Sequence, residues 1–243
     1  MTLQGEQMPE NVLANLRRLA LSEIGAVIAM GVAALGTLAF MVIADEALEG
    51  DTHAFDTSIL VALREPGDAS DPIGPDWLAD GMADLTALGG SAVLTLLVVG
   101  VIFYLLSVGK RGTALLVGGA VGSGAILSAL LKFGFDRPRP ELVAHLSHAY
   151  SSSFPSGHAM LSAVTYLTLG VLLARAHERR RTKVIVMTYG VTLTVLIGLS
   201  RVYLGVHWPT DVLAGWALGA AWAALWWLIA WQLQRRGRIE QPT

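Results

Sequence analysis

Apolar residues along this chain gather in long uncharged runs, separated by short clusters of charge. Residues 24–44 hold no charged side chain over 21 positions, enough for a helix through about 30 Å of hydrocarbon. Further uncharged runs occupy 85–109, 112–131, 159–174, 184–200 and 212–234. Together they predict an all-α, polytopic membrane protein with six transmembrane helices. A short amphipathic external segment separates helices 1 and 2. The fourth and fifth runs, at 16 and 17 residues, are short for a full crossing. Polar residues crowd one end of each.

The basic residues orient these spans. Twelve of the 17 Lys and Arg fall on one side: Arg17, Arg18, Lys110, Arg111, Arg175, Arg179, Arg180, Arg181, Lys183, Arg235, Arg236 and Arg238. By the positive-inside rule that side is cytoplasmic, and both termini face it. The first run is longer than the roughly 7 to 15 residues of a signal-peptide core and has more than twenty residues before it, which favours an uncleaved anchor. The expected layout is a cytoplasmic segment 1–23, a six-helix membrane domain 24–232 and a basic cytoplasmic tail 233–243. Within the membrane domain, residues 45–84 form the external segment, with eleven Asp or Glu and Arg64 as its single Lys or Arg. Phe55 to Leu63 is apolar enough to lie on a membrane surface. The segment as a whole reads as a solvated acidic loop. Asp68, Asp71 and Asp76 have a spacing that matches no calcium-binding loop. Small residues at Gly118, Gly122 and Ser123 suit close helix packing in the third span.

Composition narrows the class of chemistry. The 243 residues are 53% hydrophobic and 15% charged, with a mean hydropathy of +0.56. Soluble domains carry about 25% charged residues, so the deficit fits surface buried in lipid. A net charge of −2 leaves no electrostatic footprint for nucleic acid. The absence of cysteine excludes disulfides, thiolate metal sites and cysteine nucleophiles.

Five Lys and Arg remain on the non-cytoplasmic side: Arg64, Lys132, Arg137, Arg139 and Arg201. Four of them belong to polar clusters at the outer helix ends, where charge at the hydrocarbon edge is functional by default. KFGFDRPRP carries Lys132, Arg137 and Arg139 at the end of the third span. FPSGH carries Ser156 and His158 at the start of the fourth. SRVYLGVHWPTD carries Arg201, His207 and Asp211 between the fifth and sixth. Lys132, Arg139 and Arg201 offer three cations suited to a multivalent oxyanion. The helix start at Ser156-Gly157 adds free backbone N–H groups, and Gly157 permits close approach.

Asp211, four residues after His207, can hold one ring nitrogen and free the other to attack phosphorus. His158 can protonate the departing oxygen and then activate water. Blander readings exist for each residue taken alone. Lys132 and Arg201 can be snorkelling cations, Asp211 a partner for a helix dipole, and Ser200 a local backbone partner. His145 and His148 read as surface histidines. Arg137 is ambiguous between phosphate, lipid headgroup and solvent.

These motifs resemble those of the type 2 phosphatidic acid phosphatase superfamily of lipid phosphatases and haloperoxidases. Its first motif, Lys, six residues, then Arg-Pro, is matched by Lys132 through Arg139-Pro140 (132–140). The second, Pro-Ser-Gly-His, is Pro155 to His158 (155–158). The third, Ser-Arg, five residues, His, three residues, Asp, is Ser200-Arg201, His207 and Asp211 (200–211). The resemblance covers about residues 85–232 and is strongest for compact bacterial members.

It implies a phosphate-accepting His207, its partner Asp211 and a general acid and base at His158. Lys132, Arg139, Ser156, Gly157 and Arg201 would bind phosphate, with no metal and no cofactor. The implied activity is hydrolysis of a lipid phosphomonoester or diphosphate at the outer face of the cytoplasmic membrane, the partners being that lipid and the bilayer. No obligate protein partner is inferred. Undecaprenyl diphosphate leads the expected substrates, ahead of phosphatidylglycerol phosphate and phosphatidic acid. A lipid phosphotransferase using the same site is the alternative, and a non-catalytic lipid-binding or transport protein a more distant one. A haloperoxidase is disfavoured because those relatives are soluble.

Overall fold

The computed structural model describes residues 10–147 and 151–240. It is built from helices in the order α1 (Glu10–Glu49), α2 (His53–Ala62), α3 (Asp76–Ala87), α4 (Ser91–Ser107), α5 (Arg111–Gly134), α6 (Gly157–Arg175), α7 (Arg180–Tyr203) and α8 (Pro209–Arg235). A two-stranded antiparallel hairpin, β1 (Arg64–Glu65) and β2 (Asp68–Pro72), lies between α2 and α3. Helices α1, α5, α6, α7 and α8 are each long and apolar enough to cross a membrane. The sixth candidate is not one straight helix. Helices α3 and α4 qualify only as a pair, bent by 46°.

That break corrects the continuous second span expected over 85–109. The uncharged run is uniform in hydropathy, yet regular helix stops at Ala87 and resumes at Ser91. Gly89 and Gly90 lie in the gap. A Cβ on Gly89 would overlap Cγ2 of Ile197 on α7, so the missing side chain lets the bend close against that helix, with the His158 ring alongside. In the other direction, the two short runs become full spans of 19 and 24 residues. The helices continue through polar residues at their ends, and Arg201 sits in the last turn of α7.

Packing centres on α8. It lies against α1 on one side and α6 on another, while α7 completes the bundle against α6. Small residues allow the backbones to approach. A Cβ on Gly219 would stand 2.6 Å from the Met160 carbonyl oxygen, and one on Gly36 would stand 2.6 Å from that of Ala217. In a bilayer, close van der Waals packing of this kind drives helix association. Of the small residues expected to pack in α5, Gly118 faces Ile102 and Ser123 accepts from Trp222 Nε1 at 3.2 Å, but nothing lies within 4 Å of a Cβ on Gly122. Gly119 and Gly124 instead face the indole rings of Trp226 and Trp222. Three phenylalanines, Phe40, Phe135 and Phe154, form a ring cluster with centroids 5.1–6.2 Å apart. They tie α1 to the loops that lead out of α5 and into α6.

Residues 45–84 keep ten of their eleven acidic side chains exposed, as expected, but the segment is folded against the bundle rather than a loose loop. Helix α2 rests on the start of α8 through Leu60, which packs with Val143, Trp208 and Val212. Asp56, one of the eleven acidic residues of the segment, is fully buried. Arg64 is also buried and donates to the carbonyls of Leu63 and Tyr203, both at 3.0 Å. A cation held against the last carbonyls of α7 complements the negative end of that helix. The hairpin is thereby fastened over one end of the bundle.

Candidate active site

Three loops converge at the end of the bundle that carries α2 and the hairpin. They are the segment after α5, the segment into α6 and the turn between α7 and α8. His207 is the residue just before the N-cap of α8, and Asp211 is the third residue of that helix. Pro209 takes the first helical position, where an N–H would have no partner. This local geometry folds Asp211 back over the helix start. Its Oδ2 accepts from the Trp208 N–H at 2.9 Å and stands 3.3 Å from His207 Nδ1. The same carboxylate accepts from the Ser153 hydroxyl. A carboxylate at Nδ1 favours the tautomer with the proton on that nitrogen, which leaves the lone pair on Nε2.

Nε2 of His207 faces the cationic side of the site. Arg139 Nη1 lies 3.3 Å away and also donates to the Val206 carbonyl at 2.5 Å. Arg139 Nε donates to the Ser151 carbonyl at 2.9 Å. Lys132 Nζ donates to the Ser152 carbonyl at 2.8 Å and to the Ser151 hydroxyl at 3.3 Å. Arg201 is 2% exposed and donates from Nη1 to the hydroxyls of Thr86 and Ser147, while its buried Nε has no partner among the described residues.

The partners of these three cations share one property. They are carbonyls and hydroxyls, which orient a cation without cancelling its charge. Among the described residues no carboxylate comes within ion-pair distance of Lys132, Arg139 or Arg201. Three cations without a carboxylate partner, one of them (Arg139) 3.3 Å from the imidazole Nε2, make a strong field for an oxyanion.

The second loop contributes the start of α6. Ser156 is its N-cap and Gly157 its first residue. A Cβ on Gly157 would stand 3.4 Å from Lys132 Cε, so the glycine keeps this helix start open beside the lysine. His158 lies in the first turn, close enough to feel the charges of Arg201, Lys132 and Arg139. It makes no hydrogen bond among the described residues, which leaves its ring nitrogens available. All eight residues expected for the site, Lys132, Arg139, Ser156, Gly157, His158, Arg201, His207 and Asp211, come to this one end.

Other expectations divide. Ser200 donates to the Ile197 carbonyl at 2.7 Å and serves its own helix. His145 contacts the Pro140 carbonyl at 2.5 Å, and His148 lies outside the described residues. No group of three or more His, Asp or Glu side chains among the described residues is arranged to hold a metal. Arg137 is no free cation. Its fork bonds Asp211 Oδ1 at 2.6 Å and Asp56 Oδ2 at 2.7 Å, so two carboxylates cancel its charge. Neither this pairing nor the roles of Ser151, Ser152 and Ser153 was read from the sequence. The serine run directly before the FPSGH motif was the available signal.

The family model for the PAP2 superfamily matches residues 113–235. Phosphatidylglycerophosphatase B of Bacillus subtilis is 39% identical over 149 residues, covering 59% of this chain and 70% of that protein. Undecaprenyl-diphosphatase of Sulfolobus acidocaldarius is 37% identical over 89 residues, a match that spans 37% of each chain. Among solved structures, a transmembrane PAP2 type phosphatidylglycerolphosphate phosphatase from Bacillus subtilis superimposes with a TM-score of 0.73 at 31% identity. That superposition covers 84% of this chain and 98% of the other. The chain is a multi-pass membrane protein that belongs to the PAP2 superfamily.

Proposed function

We propose that the protein is a lipid phosphate phosphatase that works through a phosphohistidine at His207. One observation carries the reading: His207 is held at Nδ1 by Asp211, while its Nε2 lies 3.3 Å from Arg139, a cation that no carboxylate pairs. Nε2 attacks phosphorus in line, and the bond from phosphorus to the lipid oxygen breaks. His158 gives its proton to that oxygen, then takes one from water. The hydroxide attacks phosphorus, breaks the bond to Nε2 and releases inorganic phosphate. Lys132, Arg139 and Arg201 hold the equatorial oxygens, helped by Ser156 and the N–H groups at Gly157. No step requires a metal.

We further propose that the site opens at the outer face of the cytoplasmic membrane, since the basic loops mark the opposite side as cytoplasmic. The substrate then keeps its tail in the bilayer and offers its headgroup at the membrane edge. The relative matched over more of this chain is named for phosphatidylglycerophosphate. That favours phosphatidylglycerol phosphate over undecaprenyl diphosphate, reversing the order expected from the sequence. The test is phosphate release by purified protein across phosphatidylglycerol phosphate, undecaprenyl diphosphate and phosphatidic acid. Turnover is expected to survive chelator and to fall with vanadate, a mimic of pentacoordinate phosphorus. Activity lost to chelator and restored by a divalent cation would overturn the metal-free mechanism. Transfer of label to an acceptor hydroxyl with little free phosphate would favour a phosphotransferase.

The nucleophile must be neutral to attack. Burial lowers the His207 imidazole from the usual 6.5 to about 4, with Asp211 opposing the shift. The ring therefore stays neutral until the pH falls through about 4. Between 6.5 and 4 the unfolded chain holds the extra proton, so His207 makes the fold less stable as pH drops through that window. Histidine-labelled protein tests this by NMR, with the His207 signal assigned from its loss in His207→Ala. The signal is expected to keep its neutral form down to about pH 4. A midpoint at 6.5 would contradict the burial described.

A further inference from the structure

The Asp56–Arg137–Asp211 cluster joins the external segment to the catalytic end of α8. Asp56 comes from α2, Arg137 from the loop after α5 and Asp211 from α8. Both carboxylates are fully buried and the guanidinium side chain is 10% exposed. Each arm of the fork has one carboxylate and one hydroxyl. Nη1 bonds Asp211 Oδ1 and the Thr210 hydroxyl at 2.9 Å, while Nη2 bonds Asp56 Oδ2 and the Thr52 hydroxyl at 3.1 Å. Asp56 also accepts from the Thr210 N–H at 2.9 Å and from its hydroxyl at 2.7 Å. It therefore caps the first turn of α8 while it anchors the arginine.

Charge and geometry assign the cluster a task separate from phosphate binding. Asp211 has two oxygens with different duties. Oδ2 serves His207, Ser153 and the Trp208 N–H, whereas Oδ1 is gripped by Arg137. A carboxylate free to rotate would present either oxygen to the imidazole. Held by the fork at one oxygen, it presents the other in a fixed direction. The Arg137 guanidinium is fixed in turn by Asp56 and lies 5.5 Å from the centre of the Trp208 ring. We infer that Arg137 and Asp56 are positioning residues for the His207–Asp211 pair, and that the external segment supplies the outer anchor of the nucleophile.

This inference rests on the proposed phosphohistidine mechanism and goes beyond the family motifs, none of which contains Asp56. Partners behind a reactive ligand fix its orientation, and their loss typically lowers activity by about 10- to 100-fold. The experiment compares Asp56→Asn, Arg137→Gln, the double variant and Arg137→Lys, using a soluble short-chain lipid phosphate. Asp56→Asn and Arg137→Gln are each expected to lower kcat by about 10- to 100-fold, with KM within about twofold of the parent.

The double variant is expected to lose no more than the worse single one, since both act through Asp211. Arg137→Lys keeps the charge without the fork and should recover part of the loss. It also provides a reading if Asp56→Asn does not fold. A rise in KM at constant kcat would place Arg137 among the phosphate ligands and overturn the inference. So would multiplicative losses in the double variant, wild-type kcat in folded Asp56→Asn, or failure of all the variants to fold. A parent enzyme that releases phosphate while its variants match it overturns the positioning alone. A parent with no phosphatase activity overturns the mechanism and the positioning together.

Discussion

His207→Ala is expected to remove phosphate release while leaving a folded, membrane-inserted protein. A missing nucleophile cannot be replaced by the cations around it. They bind the phosphate but offer no lone pair aimed at phosphorus. Loss of such a residue lowers kcat by about 10,000-fold or more, a larger change than any loss of binding contacts would produce. The fold should survive because the turn that holds His207 is fixed from elsewhere. Trp208 and Val212 pack with Leu60, and the Trp208 N–H keeps its bond to Asp211. Phosphate release by the purified variant, alongside size-exclusion behaviour and Tm, decides the matter. Retained turnover in folded protein would sink the nucleophile assignment.

Asp211→Asn is expected to have an effect nearly as large for a different reason. The amide is close in shape to the carboxylate, so the start of α8 should persist. With its NH2 toward His207, it would donate to Nδ1 and move the imidazole proton to Nε2. The lone pair needed for attack would then point away from phosphorus. In a catalytic triad the same substitution costs on the order of 10,000-fold in kcat through the wrong tautomer, and a loss of about 1,000- to 10,000-fold is expected here. If Asp211 only complemented the helix dipole, the effect would stay within a few-fold. Measurement of kcat separates the two, provided Tm shows the variant is folded.

These two residues were legible because their relation is local. Four positions separate His207 from Asp211, and a helix start between them folds one over the other. Lys132 and Arg139 were legible through motif spacing rather than geometry, for nothing in the intervening residues says which carbonyls will orient them. Asp56 was not legible at all. It is one of eleven acidic residues in its segment, and its partner Arg137 lies 81 positions away, two residues from a motif arginine. Only burial distinguishes it from its solvated neighbours. The Gly89–Gly90 break was hidden for a similar reason. Hydropathy averages over a run, and a bend that fits closely against Ile197 of another helix leaves that average unchanged.

The sequence by itself determined that this chain crosses the membrane repeatedly and carries three polar motifs at the helix ends of one side. Both follow from short-range rules: charge is expelled from hydrocarbon, and helix starts take particular residues. Which cations stay uncancelled was decided only by the tertiary structure. Arg137 and Arg139 are two residues apart and chemically identical, yet one is neutralised by two buried carboxylates and the other is held by carbonyl oxygens. A charge becomes available or silent according to what the rest of the fold brings within about 3 Å of it.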